Sequence, residues 1–273
     1  MLDFSVVTLA VNLPGPVAAA RLRQFGAAVT KIEPPGGDPL AIACPSWYAQ
    51  LHQGVTILTL DLKNQADQAR LEELLAAADL LLTSMRPAAL ARLGLKPDDL
   101  GARQPHLCQV AIVGYDPPDK DKAGHDLTYQ ASLGLVQPPQ LPRTLLADLA
   151  GAERAVSAAL ALLLARAQGQ GAGRAEVVLA AAAEAFAQPW QFGLTQATGV
   201  LGGSLPGYNL YETADGWVAL AALEPHFWQR FVAAAGLARP DKTAVAAFLR
   251  QQRTAYWTAW AREWDIPLEE VKE

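Results

Sequence analysis

The sequence is poor in the residues that hold small extracellular or metal-bound folds together. It has two cysteines, Cys44 and Cys108, in 273 residues. They lie far apart and lack metal-ligand spacing, so we expect neither a disulfide framework nor a thiolate metal site. Basic residues are outnumbered by acidic ones, and the formal net charge of −5 argues against nucleic acid as a partner. Any anionic ligand must therefore be held by a local group of Arg and Lys.

Long apolar runs are also missing. The longest, residues 155–165, is bounded by Arg154 and Arg166 and is too short to cross a bilayer. The opening MLDFSVVTLAVNLPGP has neither the basic start nor the small-residue cleavage site of a secretory signal. We therefore expect a cytoplasmic protein that does not bind membranes.

The first half of the chain alternates short apolar strands with helical patterns. The pattern predicts strands at 28–32, 56–60, 80–83 and 108–113, and helices at 17–25, 65–77 and 87–93. Such alternation is typical of right-handed crossovers and a mostly parallel sheet. These sheets bind ligands beyond the carboxyl ends of their strands, where the loop after Gly114 would lie.

The second half begins with a predicted long helix over 148–167. The segment QGQGAG follows it and leads into a strand at 175–179, so it indicates a helix end and not a dinucleotide-binding loop, which would follow a strand. A helix at 180–196 and the glycine-rich TGVLGGSLPGYN come next, and we predict domains 1–198 and 199–273. Trp257, Trp260 and Trp264 share one helix face, which is typical of a core or a subunit interface.

Two polar segments beside apolar helices contain candidate catalytic residues. His125 lies in AGHDLTYQA and Asp148 in LLADLAGA. A histidine opposed by a carboxylate suits moving a proton on and off carbon. Each has an ordinary structural alternative: His125 fits a hydrogen-bonded loop histidine, and Asp148, ahead of an apolar helical run, fits an N-cap.

Several segments, in this order along almost the whole chain, resemble the family III CoA-transferases and in particular their α-methylacyl-CoA racemase branch. They are NLPGPVAAARLRQFGAAVTKIEPPGGDPL, TLDLK, RPAALARLGL, AGHD, LLAD and YETADGWVALAALEPHFW. The resemblance implies an α/β fold, with a Rossmann-like parallel sheet domain that binds CoA and a smaller C-terminal α/β domain. It also implies a homodimer.

The same resemblance implies the site. His125 and Asp148 would be the two catalytic bases, Glu224 the acid that partners the histidine, and Asp126 the residue that follows it. Glu224, just before Pro225, also fits a helix-start residue. The implied reaction is racemisation or epimerisation of 2-methyl-branched acyl-CoA thioesters by two-base 1,1-proton transfer, with the thioester as substrate and no further cofactor or metal.

Three basic residues occupy positions that resemble the family's CoA contacts: Lys63, Arg86 and Arg92. Without the resemblance they fit exposed charges near helix ends, and Asp61 fits a turn residue.

Some positions depart from the racemase pattern. Arginines usual in the segment EPPGGDPLA and before TLDLK are absent, and Thr144 stands where racemases carry asparagine. The His125–Asp148 loop is shorter, and relatives continue beyond DIPLEEVKE. Two alternatives therefore stay open: a CoA-transferase in which Asp148 is the nucleophile and forms a mixed anhydride, and a catalytically degenerate member that acts as a binding or assembly protein.

Overall fold

The computed structural model describes residues 3–272 and divides into two compact units, one ending at Ala187 and the other beginning at Gln188. The glycine-rich segment TGVLGGSLPGYN lies in the second unit, and Val200–Ser204 within it forms a short π-helical turn.

The first unit contains a six-stranded parallel sheet in the order β3-β2-β1-β4-β5-β6. Its strands are β1 Phe4–Thr8, β2 Ala27–Glu33, β3 Thr56–Thr59, β4 Leu80–Thr83, β5 Cys108–Val113 and β6 Arg174–Val178. Five of them match the sequence prediction to within one residue at each end. The sixth, β1, was not predicted and lies near the middle of the sheet.

Helices cover both faces of this sheet. They are α1 Pro14–Gln24, α2 Pro39–Ala43, α3 Pro45–Leu51, α4 Gln65–Ala76, α5 Pro87–Arg92, α6 Pro97–Arg103, α7 Asp126–Ser132, α8 Leu146–Ala167 and α9 Leu179–Gln191. Successive side chains of a strand point to opposite faces. Accordingly Val6 packs in the core under α1 and α8, whereas its neighbour Val7 packs in the core under α4 to α6. Burial on both faces explains why the central strands β1, β4 and β5 are mostly apolar, whereas the edge strand β3 is largely exposed.

The strand order reverses direction between β1 and β4, which are neighbours in the sheet although they are far apart in sequence. The crossovers on either side of such a point leave in opposite directions, and this opens a crevice at the carboxyl ends of the two strands. The fold therefore positions the loops after β1 and β4 as the walls of a ligand site.

The second unit has a three-stranded antiparallel sheet in the order β7-β8-β9, with three helices. The elements are β7 Tyr208–Glu212, β8 Trp217–Ala221, α10 Pro225–Ala235, α11 Lys242–Leu249, α12 Thr254–Glu263 and β9 Leu268–Glu270. Trp257 is buried in its core and Trp260 packs against that core, as predicted. Trp264 is not on their helix face: α12 ends at Glu263, and Trp264 caps the helix with its side chain exposed.

Two smaller predictions are confirmed. Cys44 and Cys108 are free thiols. The segment QGQGAG ends α8, and Gly169 and Gly171 have the positive φ values (83° and 79°) that glycine adopts without strain. Within residues 3–272, no helix is both long and apolar enough to cross a membrane.

Candidate active site

A cleft of about 250 Å³ opens at the carboxyl ends of the parallel strands. Its walls come from segments that follow four of them: Asn12 after β1, Arg86 after β4, Gly114 after β5 and Leu179 after β6. This is the crevice that the reversal of strand order creates. The predicted position of the loop after Gly114 is confirmed.

His125 lies on the wall of this cleft, directly before α7. Thr128 fixes its backbone twice, because its Oγ1 accepts the His125 N–H at 3.1 Å and donates to the His125 carbonyl at 2.8 Å. Both bonds use main-chain atoms of the histidine, and the residue as a whole is exposed. The local structure therefore holds the backbone still while it presents the imidazole to the cleft.

The residue before His125 is glycine because there is no room for a side chain. A Cβ at Gly124 would lie 2.7 Å from Oη of Tyr129 and 2.9 Å from Cε2 of Tyr115. The two tyrosine rings meet edge to face at 5.1 Å. Burial, followed by the nearby charges, raises the pKa of Tyr129 to about 12. This buried cleft residue therefore keeps its phenolic proton.

Asp148 also lines the cleft, but it is the third residue of α8 and not its N-cap. Leu145 holds the N-cap position and makes no side-chain capping bond. Instead, the Asp148 N–H donates to Oδ2 of Asp126 at 3.0 Å. The N-cap prediction for Asp148 is wrong because a carboxylate from another helix satisfies the free N–H group that a local cap would have taken.

Burial and, to a lesser extent, the negative charge of Asp126 together raise the pKa of Asp148 from 3.8 to about 6, against the opposing effect of His125. A carboxylate in the first turn of a helix is expected to be favoured as an anion by the helix dipole. Here burial and the second carboxylate outweigh that effect. Asp148 can therefore both accept and release a proton near neutral pH.

Asp126 is buried, with only 4% of its surface exposed, and it is not one of the residues lining the cleft. Its Oδ1 accepts a short hydrogen bond from Nε2 of Gln130, and its Oδ2 accepts the Asp148 N–H. This position suits a residue that acts through Asp148 and not directly on a substrate. Gln130 was not predicted; its position four residues after Asp126, on the same face of α7, was the available signal.

Of the three basic residues predicted to contact CoA, Arg86 alone lines the cleft. Lys63 and Arg92 are exposed and lie outside its walls. Two further cations that sequence analysis did not predict, Lys120 and Lys122, do line it. Lys120 pairs with Glu176 of β6 at 2.5 Å, and Lys122 lies 4.8 Å from the ring of Tyr115.

Lys63 lies in the turn before α4. Oδ1 of Asp61 accepts the Lys63 N–H at 3.1 Å, so the predicted turn role of Asp61 is confirmed.

Glu224 belongs to the second unit, where it is the N-cap residue of α10 and is exposed. Its carbonyl accepts the Trp228 N–H at 3.0 Å, while its side chain makes no capping bond. The helix-start interpretation of Glu224 is therefore confirmed. Its partnership with His125 stays a prediction.

A second group of ionisable side chains lies beneath β2, and sequence analysis missed it. Nζ of the buried Lys31 lies 2.5 Å from Asp38, 2.9 Å from Glu33 and 2.8 Å from Nε2 of His52. Tyr48 donates to Glu33 at 2.7 Å. The ligand atoms of Glu33, Asp38 and His52 are close enough together to hold a metal ion, and the Lys31 ammonium lies within 2.9 Å of all three.

The ammonium also fixes the state of His52. Because an ammonium only donates, Nε2 of His52 accepts, and Nδ1 donates to the Tyr48 carbonyl at 2.6 Å. Burial lowers the pKa of His52, and the Lys31 charge lowers it as well. Asp38 connects this group to the cleft, because its Oδ1 accepts the Asn12 N–H at 2.8 Å.

Curated relatives include both racemases and transferases. The chain is 31% identical to the human α-methylacyl-CoA racemase over 255 residues, which cover 85% of this chain and 64% of the racemase. It is 29% identical to succinyl-CoA–D-citramalate CoA-transferase of Chloroflexus aurantiacus over 278 residues, covering 92% and 68% of the two chains. The chain thus spans about two thirds of the length of these relatives.

Solved structures agree on the fold. A hypothetical protein from Mycobacterium tuberculosis superimposes with a TM-score of 0.86 at 24% identity, covering 100% of this chain and 85% of that one. A CAIB/BAIF family protein from Brucella suis gives 0.82 at 20% identity, covering 99% and 83%. The model of CoA-transferase family III matches residues 1–273. The chain therefore belongs to CoA-transferase family III.

Proposed function

We propose that the chain racemises or epimerises 2-methyl-branched acyl-CoA thioesters by 1,1-proton transfer at the α-carbon. The observation that carries this proposal is that His125 and Asp148 line one cleft and that the pKa of Asp148 is raised to about 6. Two proton-exchanging groups at a single site are what the reaction requires. A racemase among the relatives supports the same choice.

In this reaction one of the two groups starts unprotonated and removes the α-proton, so the C–H electron pair passes into the thioester enolate. The other group starts protonated and returns a proton to the opposite face of the α-carbon. The two groups then hold the reverse protonation pattern, ready for the opposite enantiomer. A carboxyl group with a pKa near 6 serves in both directions, whereas one with an ordinary pKa would be a weak acid.

The cleft also supports an anionic substrate. Arg86, Lys120 and Lys122 line it, against the single carboxylate of Asp148. Arginine forks and lysine ammonium groups bind phosphates through charge-assisted hydrogen bonds. We propose that these three cations bind the CoA part of the substrate, in place of the arginines that the sequence lacks. Lys63 and Arg92 would then contact CoA farther from the cleft.

The test is incubation with a chiral 2-methylacyl-CoA in heavy water. The proposal predicts deuterium at the α-carbon with the wild-type protein and with a Leu127→Ala control, an exposed residue of α7 outside the cleft. It predicts strong loss of incorporation with His125→Ala. Incorporation by the wild-type protein no greater than that of His125→Ala would contradict the proposal.

A second candidate is CoA transfer, since CoA-transferases are also among the relatives. Here the Asp148 carboxylate would attack the thioester carbonyl, expel the CoA thiolate and form a mixed anhydride. Hydroxylamine would convert that anhydride into a hydroxamate at Asp148. Detection of this adduct by mass spectrometry in the wild-type protein, but not in the Asp148→Asn control, would favour transfer. Exchange of the α-proton without any adduct would favour racemisation.

A measurement of CoA binding distinguishes the two enzyme hypotheses from a third, a catalytically degenerate member that acts as a binding or assembly protein. Calorimetric titration with CoA should show binding that Arg86→Ala weakens. Undetectable binding at high CoA concentration would favour the degenerate member.

We also propose that the protein is a cytoplasmic homodimer. The free thiols of Cys44 and Cys108 support a reducing compartment. Exposed apolar side chains concentrated in one segment of the second unit, Trp190, Phe192 and Leu194, support a subunit interface.

A further inference from the structure

Gln130 is a buried polar residue with a defined set of partners. Only 3% of its surface is exposed. Its Nε2 donates to Oδ1 of Asp126 and, at 3.1 Å, to the carbonyl of Thr144. Both partners are acceptors in these bonds, so the nitrogen of the amide must face them. The side chain thus joins α7 to the residue that lies just before the N-cap of α8.

The carboxylate of Asp126 depends on this amide. A buried carboxylate remains charged only where donors replace the water that it has lost. Within residues 3–272, Asp126 has two side-chain hydrogen bonds, one from Nε2 of Gln130 and one from the Asp148 N–H. Gln130 is the side chain that supplies one of these two donors.

We propose that Gln130 is a positioning residue that holds Asp126 ionised beside Asp148 and thereby sets the proton affinity of Asp148. The inference rests on the proposed function only in that it concerns the proton that Asp148 would transfer. Without the amide, Asp126 takes a proton more readily. A neutral Asp126 no longer repels the charge of Asp148, so Asp148 becomes a weaker base.

The other charges around Asp148 come from several elements. The cations are Arg86 before α5 and Lys120 and Lys122 in the loop after β5, and the titratable groups are His125 before α7 and the neutral Tyr129 on α7. A substitution of Gln130 leaves all of these residues in place. A change in the titration of Asp148 would therefore report the state of Asp126.

The first experiment is a carbon-13 NMR titration of the aspartate carboxyl groups in the full chain without substrate, with signals assigned through Asp126→Asn and Asp148→Asn. We compare the wild-type protein with Gln130→Leu, which keeps the approximate shape and removes both donors. Val156→Ala is the control, since Val156 is a buried core residue of α8 about two helical turns beyond Asp148.

In the wild-type protein and in Val156→Ala, Asp148 should titrate in the upper of the two coupled steps. In Gln130→Leu the upper step should move to Asp126, and the proton affinity of Asp148 should fall about tenfold, which is about one pH unit. An unchanged Asp148 titration in Gln130→Leu would overturn the inference.

A second measurement requires no substitution and covers the case in which Gln130→Leu does not fold. The side-chain amide protons of Gln130 should stay strongly downfield while Asp148 titrates, and should move upfield only when Asp126 is protonated at lower pH. If they move fully with the Asp148 step, Asp126 is not held ionised and the inference fails. Neither measurement uses turnover, so a failure of the proposed function, seen as absent α-deuteration, stays distinct from a failure of this inference.

Discussion

At the residue scale, Asp148 shows how a fold can raise the pKa of a carboxyl group. The first turn of a helix stabilises an anion, yet burial and the charge of Asp126 raise the pKa to about 6. The charged form of Asp148 therefore lowers the free energy of unfolding at neutral pH. Such a cost is expected where a group is kept for its chemistry and not for stability.

The effect of Asp148 on stability depends on pH, and this dependence can be measured. Well below pH 3.8 Asp148 is protonated in both the folded and the unfolded chain. Between pH 3.8 and about 6 the unfolded chain has lost this proton while the folded chain still holds it. The stability contributed by the protonated carboxyl is therefore present at low pH and lost above pH 6. Replacement by Asn, which carries no charge, should raise the free energy of unfolding at pH 8 by about 2–3 kcal/mol and change it little at pH 4.

Chemical denaturation of Asp148→Asn at both pH values tests this prediction. Asp121→Asn, which removes an exposed carboxylate in the loop after β5, is the control and should show no such gain. An equal effect of the two substitutions at pH 8 would show that Asp148 is not held in a costly charged state.

At the element scale, the sequence pattern predicted five of the six parallel strands closely, because short apolar runs between helical patterns are typical of parallel sheets, but it missed β1. It failed where contacts between elements decide the outcome. The start of α8 depends on Asp126 of α7, and the end of α12 leaves Trp264 outside the helix. The group around Lys31 joins residues from β2, the α2 N-cap and the end of α3. The lysine inside the predicted strand at 28–32 was a local sign of this group.

The Lys31 group leads to a stability prediction. Lys31→Met removes the cation and leaves Glu33 and Asp38 as neighbouring buried carboxylates. Breaking a buried charged group by removing one partner costs about 3–5 kcal/mol. We expect a large fall in the thermal unfolding temperature, with faster hydrogen exchange over residues 38–52. The exposed Lys63→Met is the matched control, and an equal effect of the two would refute the structural role of Lys31.

At the scale of the whole molecule, strand and helix alternation predicted the parallel α/β fold, and the ordered motifs predicted the family. The candidate site was predictable for His125, Asp148 and Arg86, which the fold brings to one cleft. Lys120, Lys122 and Gln130 were not, because their roles arise from the path of the loop after β5 and from packing between α7 and α8. No single sequence window contains that information.

Subunit association is the prediction that belongs to this scale. Phe192 is 85% exposed in the second unit, beside other exposed apolar side chains. A homodimer should appear in light scattering at twice the 29.0 kDa of one chain. Phe192→Glu should shift it toward the monomer, whereas Gln251→Glu, an exposed polar position in the same unit, should not. A monomer in the wild-type protein would contradict the dimer.

The most direct test of the central claim, that His125 and Asp148 are two bases acting on opposite faces of one carbon, is stereochemically resolved α-exchange. Each enantiomer of a 2-methylacyl-CoA is incubated in heavy water with wild-type protein, His125→Ala and Asp148→Asn, and both deuterium content and configuration are measured. We predict exchange with inversion for the wild-type protein. Each variant should lose inversion. His125→Ala should retain slow exchange of one enantiomer, and Asp148→Asn should retain slow exchange of the other. Inversion at the wild-type rate in either variant would contradict the account.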